Sequence, residues 1–329
     1  MTKKIIFLAL CSLLLAPCSA ADAQQAGKIF RIAYLDPGNA SGSAVLVDAF
    51  RQELSRLGWN EGKNFTIEYR FAEQKLERAP ELAADLVRLK VDLMVVAGTV
   101  PATAAKRATS SVPIVMANVG DPVGAGLVAS LARPGGNVTG LSGLSPELNT
   151  KRLEILKDAV PKLARVGLLT LTGANIATDL QLKELRAAAL ALKLKLEEID
   201  TQLDAKSLEN AFQSAKQKQV NAIMTTASPR FNAGRKWIVE LAGKNRLPAI
   251  YYQKEFVDEG GLMSYGVDYD DLYRRAAVYV DKILKGAKPA DLPVQQATKF
   301  EFVINLKTAK QIGITIPVRV LERANKVIK

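Results

Sequence analysis

The chain has 329 residues, room for two ordinary domains, and its 48% hydrophobic and 24% charged residues describe a globular protein with sizeable cores. It contains no histidine, and both cysteines, Cys11 and Cys18, lie near its start. That excludes His-based catalytic triads, disulfide frameworks, zinc sites and catalytic thiols from the rest of the sequence. The net charge of +12 is scattered over pairs such as Lys183/Arg186, Lys216/Lys218 and Arg274/Arg275, with no basic run or basic-aromatic motif, so nucleic acid is not an expected partner.

The first residues read as an export signal. Lys3 and Lys4 precede an apolar stretch from Ile5 to Ala16, and Ala21-Asp22-Ala23 is a small-x-small cleavage site. The apolar stretch is too short for a permanent anchor. A lipid-anchor site at Leu15-Ala16-Pro17-Cys18 is the alternative, and proline before the cysteine fits it poorly. The expectation is a soluble, periplasmic protein cleaved near Ala23.

A strand is expected at 29–35, ending in the turn cluster Asp36-Pro37-Gly38-Asn39. Leu46, Phe50, Leu54 and Leu57 then recur at helical spacing, with Gly58 where a C-terminal cap belongs. Phe65, Ile67 and Tyr69 alternate as a second strand, and Leu82, Leu86 and Leu89 mark the next helix. The stretch from Val91 to Leu141 follows. Its apolar runs 93–97 and 113–117 predict buried strands, joined by an Ala-rich helix over 102–108. Gly124-Ala125-Gly126 predicts a short helix to Leu131, and Pro134 to Asn137 a turn into a strand over 138–141. Ser145 and Pro146 predict a serine-capped helix reaching about Val160.

The pattern then restarts. Strands are expected at 165–171, 194–199 and 220–225, with helices at 179–192 and 207–215. Next come a helix at 233–242, strands at 248–252 and 261–265, a strong helix at 270–284, a linker at 289–293 and a last strand at 300–304. Two α/β lobes of matching layout, each a doubly wound parallel sheet, are the fold expected, with a ligand cleft between them.

Small and polar residues cluster at the strand ends. Gly98, Thr99, Asn118 and Asp121 on the first lobe, and Thr172, Ser228, Tyr252 and Tyr265 on the second, are the candidate ligand-binding residues. Amides and hydroxyls there can hold a carboxylate, Asp121 can pair with an ammonium, and Tyr252 or Tyr265 can stack on an apolar group. Each has a plainer role open to it: Thr99 and Ser228 as helix caps, Asp121-Pro122 as a turn, the tyrosines as packing. No catalytic residue, cofactor or metal site is expected. The missing His and Cys disfavour an exported enzyme.

Several segments carry a family resemblance: EGKNFTIEYRFAE (Glu61–Glu73), PELAADLVRLKVD (Pro80–Asp92), VGDPVGAGLVASLARPGGNVTGLS (Val119–Ser142), KRLEILKDAVP (Lys151–Pro161), GGLMSYG (Gly260–Gly266) and the run Arg274–Pro317. The chain resembles the substrate-binding proteins of ABC importers, in the tryptophan/tyrosine-type subgroup. The resemblance implies a type I periplasmic-binding fold whose lobes close on an amino acid or related small molecule, acting as a monomer beside a membrane permease. Implied lobe boundaries are 28–144 with 267–292, and 145–266 with 293–329; hinges are expected near Leu141–Ser145, Tyr265–Asp268 and Pro293–Thr298. At Thr170-Leu171-Thr172-Gly173 the chain departs from the aromatic or Asn-Pro pair that many relatives carry. A ligand-sensing module of the same fold, without transport, is the alternative; no DNA-binding helix pair precedes the first strand.

Overall fold

Alternating apolar strands and amphipathic helices become two layered lobes in the structure, a computed structural model that describes residues 28–173 and 175–329. The predicted export signal, its cleavage site and Cys18 lie outside the described residues. In the first lobe the chain runs β1 (Phe30–Asp36), α1 (Ala40–Arg56), β2 (Phe65–Phe71), α2 (Ala79–Arg88), β3 (Leu93–Ala97), α3 (Thr99–Ala108), β4 (Ile114–Val119) and β5 (Val138–Ser142). The second lobe takes α4 (Ser145–Ala159), β6 (Arg165–Leu171), α5 (Ile176–Ala191), β7 (Lys195–Thr201), α6 (Ala205–Gln217), β8 (Ala222–Thr225), α7 (Arg235–Lys244), β9 (Ala249–Tyr251), α8 (Glu255–Asp258) and β10 (Met263–Val267). The chain returns to the first lobe for α9 (Tyr269–Leu284) and β11 (Gln295–Gln296). It ends in the second with β12 (Phe300–Asn305), α10 (Leu306–Ile312), α11 (Val318–Leu321) and β13 (Lys326–Ile328).

The first sheet has the order β11-β5-β4-β3-β1-β2 and the second β13-β12-β10-β9-β8-β6-β7. Pairing is parallel except between β10 and β12. Strands β3 and β4 are buried along their whole length, which is why they read as continuous apolar runs and not as alternating ones. Each sheet carries a core on both faces. The fold is thus the α/β two-lobed one expected.

The structure corrects several details. Residues 124–131 form turns and no helix: after one turn from Asp121, Gly126 at φ 67° breaks the helical path. Leu144, not Ser145, occupies the cap position of α4; it takes a left-handed conformation, so the helix starts one residue earlier than a serine cap would place it. Strand β11 pairs with β5, so the first lobe keeps the chain through Gln296, past the expected boundary at 293. Helices α8, α10 and α11 and strand β13 are too short for the apolar period to show in the sequence.

The chain passes between lobes at 143–144, at Asp268 and at 298–299. The Ala297 amide donates to the Ser142 carbonyl and the Asp268 amide to the Lys299 carbonyl, both at 2.9 Å, which holds the crossings side by side. Room is tight there. A Cβ at Gly143 would lie 2.1 Å from Asn118 Oδ1, and one at Gly266 1.9 Å from the Tyr252 carbonyl oxygen. Tyr265 packs against a core of each lobe, and Tyr269 does the same from the other side of the crossing.

Candidate ligand-binding cleft

The strand ends of the two sheets face one another across a cleft with about 760 Å³ of empty space. Helices α3 and α5 pack together across it, so the lobes are closed. Four helix starts converge on this space: α3 at Thr99, α4 at Ser145, α5 near Ala177, and a short 3-10 turn at Pro229. First-turn amides have no partner within their own helix, so helix starts present N–H groups and a positive potential.

At α3 this follows directly from sequence. Gly98 takes φ 86°, ψ 167°, which lets β3 turn sharply into the helix, and being glycine it offers no side-chain cap. Pro101 has no amide of its own. The Thr99 and Val100 amides are therefore the free donors of this turn. Opposite them, Ser228 sits at the cap position of its 3-10 turn but makes no capping hydrogen bond, which leaves its hydroxyl for the cleft. Asp121 accepts from the Gly124 amide through Oδ1 at 2.8 Å, the turn role open to it, and Oδ2 is the oxygen left over. Asn118, 8% exposed, lines the cleft beside Tyr269, whose hydroxyl burial pushes up to about 12.

Five of the eight sequence candidates thus meet in one cleft: Gly98, Thr99, Asn118, Asp121 and Ser228. The other three do not line it. Thr172 is exposed and its hydroxyl donates to the Thr201 carbonyl, tying β6 to β7. Tyr252 is buried under the 228–232 turn, its hydroxyl within 2.8 Å of the Ser228 carbonyl and 2.9 Å of Asn232 Oδ1. Tyr265 stacks on Phe300 and meets Phe302 edge-on, as a packing residue between the lobes. Tyr252 directly follows β9, whereas Tyr265, expected at a strand end, is the middle residue of β10; both rings turn into cores rather than into the cleft.

Residues that sequence reasoning missed replace them. Asn175, Thr178, Gln181, Thr226 and Arg230 line the second lobe's wall. Gln181 is fixed by its surroundings: Oε1 accepts from the Ala227 amide at 2.8 Å and from Asn149 Nδ2 at 2.6 Å, while Nε2 donates to the carbonyls of Ala227 and Ala177. Among the described residues Arg230 is the only cation lining the cleft and its Nε has no partner; burial lowers its pKa, and Glu77 opposes that shift. The apolar lining is aliphatic, with Leu76 and Val100 facing Leu171 and Leu180, and among the described residues no aromatic ring lines the space. Such a site can hold a small molecule with one charged or polar end and one apolar end. Among the described residues no group of acids or cysteines could hold a metal ion, and no helix is long and apolar enough to cross a membrane.

Three comparisons agree on what the chain is similar to. The profile of the family described as "ABC transporter substrate binding protein" matches residues 39–328. A protein of Clostridioides difficile named "Tyrosine-binding protein" is 29% identical over 266 residues, covering 80% of this chain and 75% of that one. A crystal structure of a conserved domain protein from Vibrio cholerae superposes with a TM-score of 0.84 at 30% identity, covering 91% of this chain and all of the other. An ABC domain from Streptococcus pneumoniae in complex with L-Trp gives a TM-score of 0.82 at 28% identity over 92% of this chain and all of the other. A two-lobed fold with a cleft between its lobes and a profile match spanning nearly the whole described chain lead to one conclusion: the chain belongs to the ABC transporter substrate-binding protein family.

Proposed function

We propose that this chain is the extracytoplasmic receptor of an ABC importer, and that it captures an aromatic amino acid, tyrosine or tryptophan, by hinge closure and hands it to a membrane permease. The observation that carries the reading is the closed cleft, in which donor-rich helix starts and Arg230 face an aliphatic wall. The names of two relatives, a tyrosine-binding protein and a domain crystallised with L-Trp, support the same ligand class. In this reading Gly98, Thr99, Asn118, Asp121 and Ser228 touch the ligand, together with Gln181 and Arg230. A ligand that contacts both walls does so only when the lobes are closed, and so shifts the population toward that form. The protein works as a monomer in the periplasm after cleavage near Ala23.

A thermal-shift panel of the standard L-amino acids on the mature chain, followed by calorimetry, tests the ligand. Tyrosine or tryptophan should raise the melting temperature by several degrees at saturation. A panel with no response sinks the amino-acid reading. Location is tested separately: the protein should appear in the soluble periplasmic fraction with Gln24 as its first residue, whereas a lipid-modified Cys18 in the membrane fraction would replace soluble export with anchoring.

A further inference from the structure

Arg152 on α4 is a feature of the second lobe's interior that packing alone does not explain. Its side chain is 1% exposed, and among the described residues no carboxylate pairs with it. Nη1 donates to the Tyr265 carbonyl at 2.8 Å, Nη2 donates to Asn149 Oδ1, and Nε has no partner. Its electrostatic neighbours are the phenols of Tyr269, Tyr252 and Tyr265. Burial pulls the guanidinium down to about 10, which still leaves it charged at neutral pH. An unpaired buried charge is among the costliest groups a core can hold, and a position that needed only packing would be better served by Leu or Met. Such groups concentrate at functional sites.

Hydrogen bonds through Asn149 and Gln181 link this charge to the cleft. Arg152 stands one layer of side chains behind it, and three of its neighbours each abut a lining residue. Asn149 donates from Nδ2 to Gln181, Tyr252 donates to the Ser228 carbonyl, and Tyr269 lies beside Asn118. The amide path has a direction. Asn149 turns its oxygen to Arg152 and its N–H to Gln181, and Gln181 turns its own N–H to the carbonyls of Ala177 and Ala227 in the cleft wall. Both Gln181 N–H groups end on carbonyl oxygens, so what reaches the ligand space is the through-space field of the charge, across hydrogen bonds that it polarises head to tail.

Resting on the amino-acid reading above, we propose that Arg152 is a specificity-determining residue: a fixed cation behind the cleft wall whose missing counter-charge is the ligand's carboxylate, so that the closed form selects acids over neutral isosteres without Arg152 touching them. Arg230, which lines the cleft, is available for direct contact; Arg152 acts through Asn149 and Gln181.

Calorimetry on the mature chain tests this with L-tyrosine and L-tryptophan, their primary amides, and the desamino acids 3-(4-hydroxyphenyl)propionate and indole-3-propionate. The native protein should favour acids over amides by about tenfold or more, the scale of one unit charge acting across a layer of side chains. Equal affinities overturn the proposal. Arg152→Gln and Arg152→Met should bring the acid-to-amide ratio close to one, with the loss falling on the acids, while Arg152→Lys retains most of the preference. Equal losses for acid and amide in the neutral variants would make Arg152 a structural residue only, and overturn the proposal. If neither neutral variant folds, Arg152→Lys decides: a preserved ratio supports the charge, and a collapsed ratio removes it. Binding of the desamino acids without the amino acids would sink the amino-acid reading and leave the carboxylate inference standing; no binding by any compound removes both.

Discussion

The two walls of the cleft are built from different materials. The first lobe's wall is main chain and short side chains at strand ends: Gly98, the Thr99 and Val100 amides, Asn118, Gly120 and Asp121. The second lobe's wall is longer side chains carried on α5 and on the 229–234 turn: Asn175, Thr178, Gln181 and Arg230. A wall of amides is fixed by the backbone path and tolerates little change in that path, yet loses little when one side chain is trimmed. A wall of side chains is the reverse. It can be retuned by single substitutions, and its precision depends on the hydrogen bonds behind it. Both walls offer donors, so an anionic group suits either; their apolar parts are both aliphatic.

Four substitutions test that contrast, from the largest effect to the smallest. Gln181→Leu removes a group with two acceptor and two donor bonds, and leaves the Ala227 amide and Asn149 Nδ2 unpaired in the interior. It should lower stability by about 3 kcal/mol in urea titration and abolish measurable ligand binding. A stable, fully binding variant would show that the second wall does not depend on its side chains. Gly98→Ala forces an L-residue into φ 86°, ψ 167°, a region almost reserved for glycine. A strain of about 1–3 kcal/mol should appear in the melting curve with a roughly tenfold weaker ligand, because the start of α3 must move. No steric clash accompanies it, since nothing lies within 4 Å of the added Cβ. Arg230→Ala should leave stability within about 0.5 kcal/mol and weaken binding of an acid about tenfold by calorimetry. Unchanged affinity would assign the anion to the helix starts alone. Asp121→Ala should cost about 1 kcal/mol through the lost turn bond to Gly124, and weaken an ammonium-bearing ligand only severalfold. A loss larger than that of Arg230→Ala would reverse the order of the walls.

Much of the fold was legible because buried parallel strands announce themselves. Leu93–Ala97 and Ile114–Val119 are apolar throughout, and the helices between strands repeat at helical spacing. The first wall was legible for the same reason: it sits where those strands stop. Of the second wall only Ser228 was, because Asn175, Thr178, Gln181 and Arg230 reach the cleft through where α5 and the 229–234 turn are placed, and Gln181 and Arg230 look in sequence like ordinary polar residues of a solvated face. Tyr252 and Tyr265 failed for a complementary reason. Position after a strand does not say which way the Tyr252 ring points, and Tyr265 lies in mid-strand because β10 runs on to Val267; both rings turn toward cores that are assembled by distant parts of the chain. Arg152 gave no signal either, since an arginine within KRLEILKDAV reads as the polar side of an amphipathic helix until the fold buries the face of α4 that carries it.

The late return of the chain to the first lobe bears on the order in which the molecule can assemble. Helix α9 fills the first lobe's core with Leu272, Tyr273, Ala276, Tyr279 and Val280, and β11 adds the strand beside β5. The second lobe in turn needs β12, whose Phe302 and Ile304 complete one of its cores. Both sheets therefore stay incomplete until late in the chain: the first waits for β11 at Gln295–Gln296, and the second for β12 and β13 after it. Long-range closure of this kind slows folding.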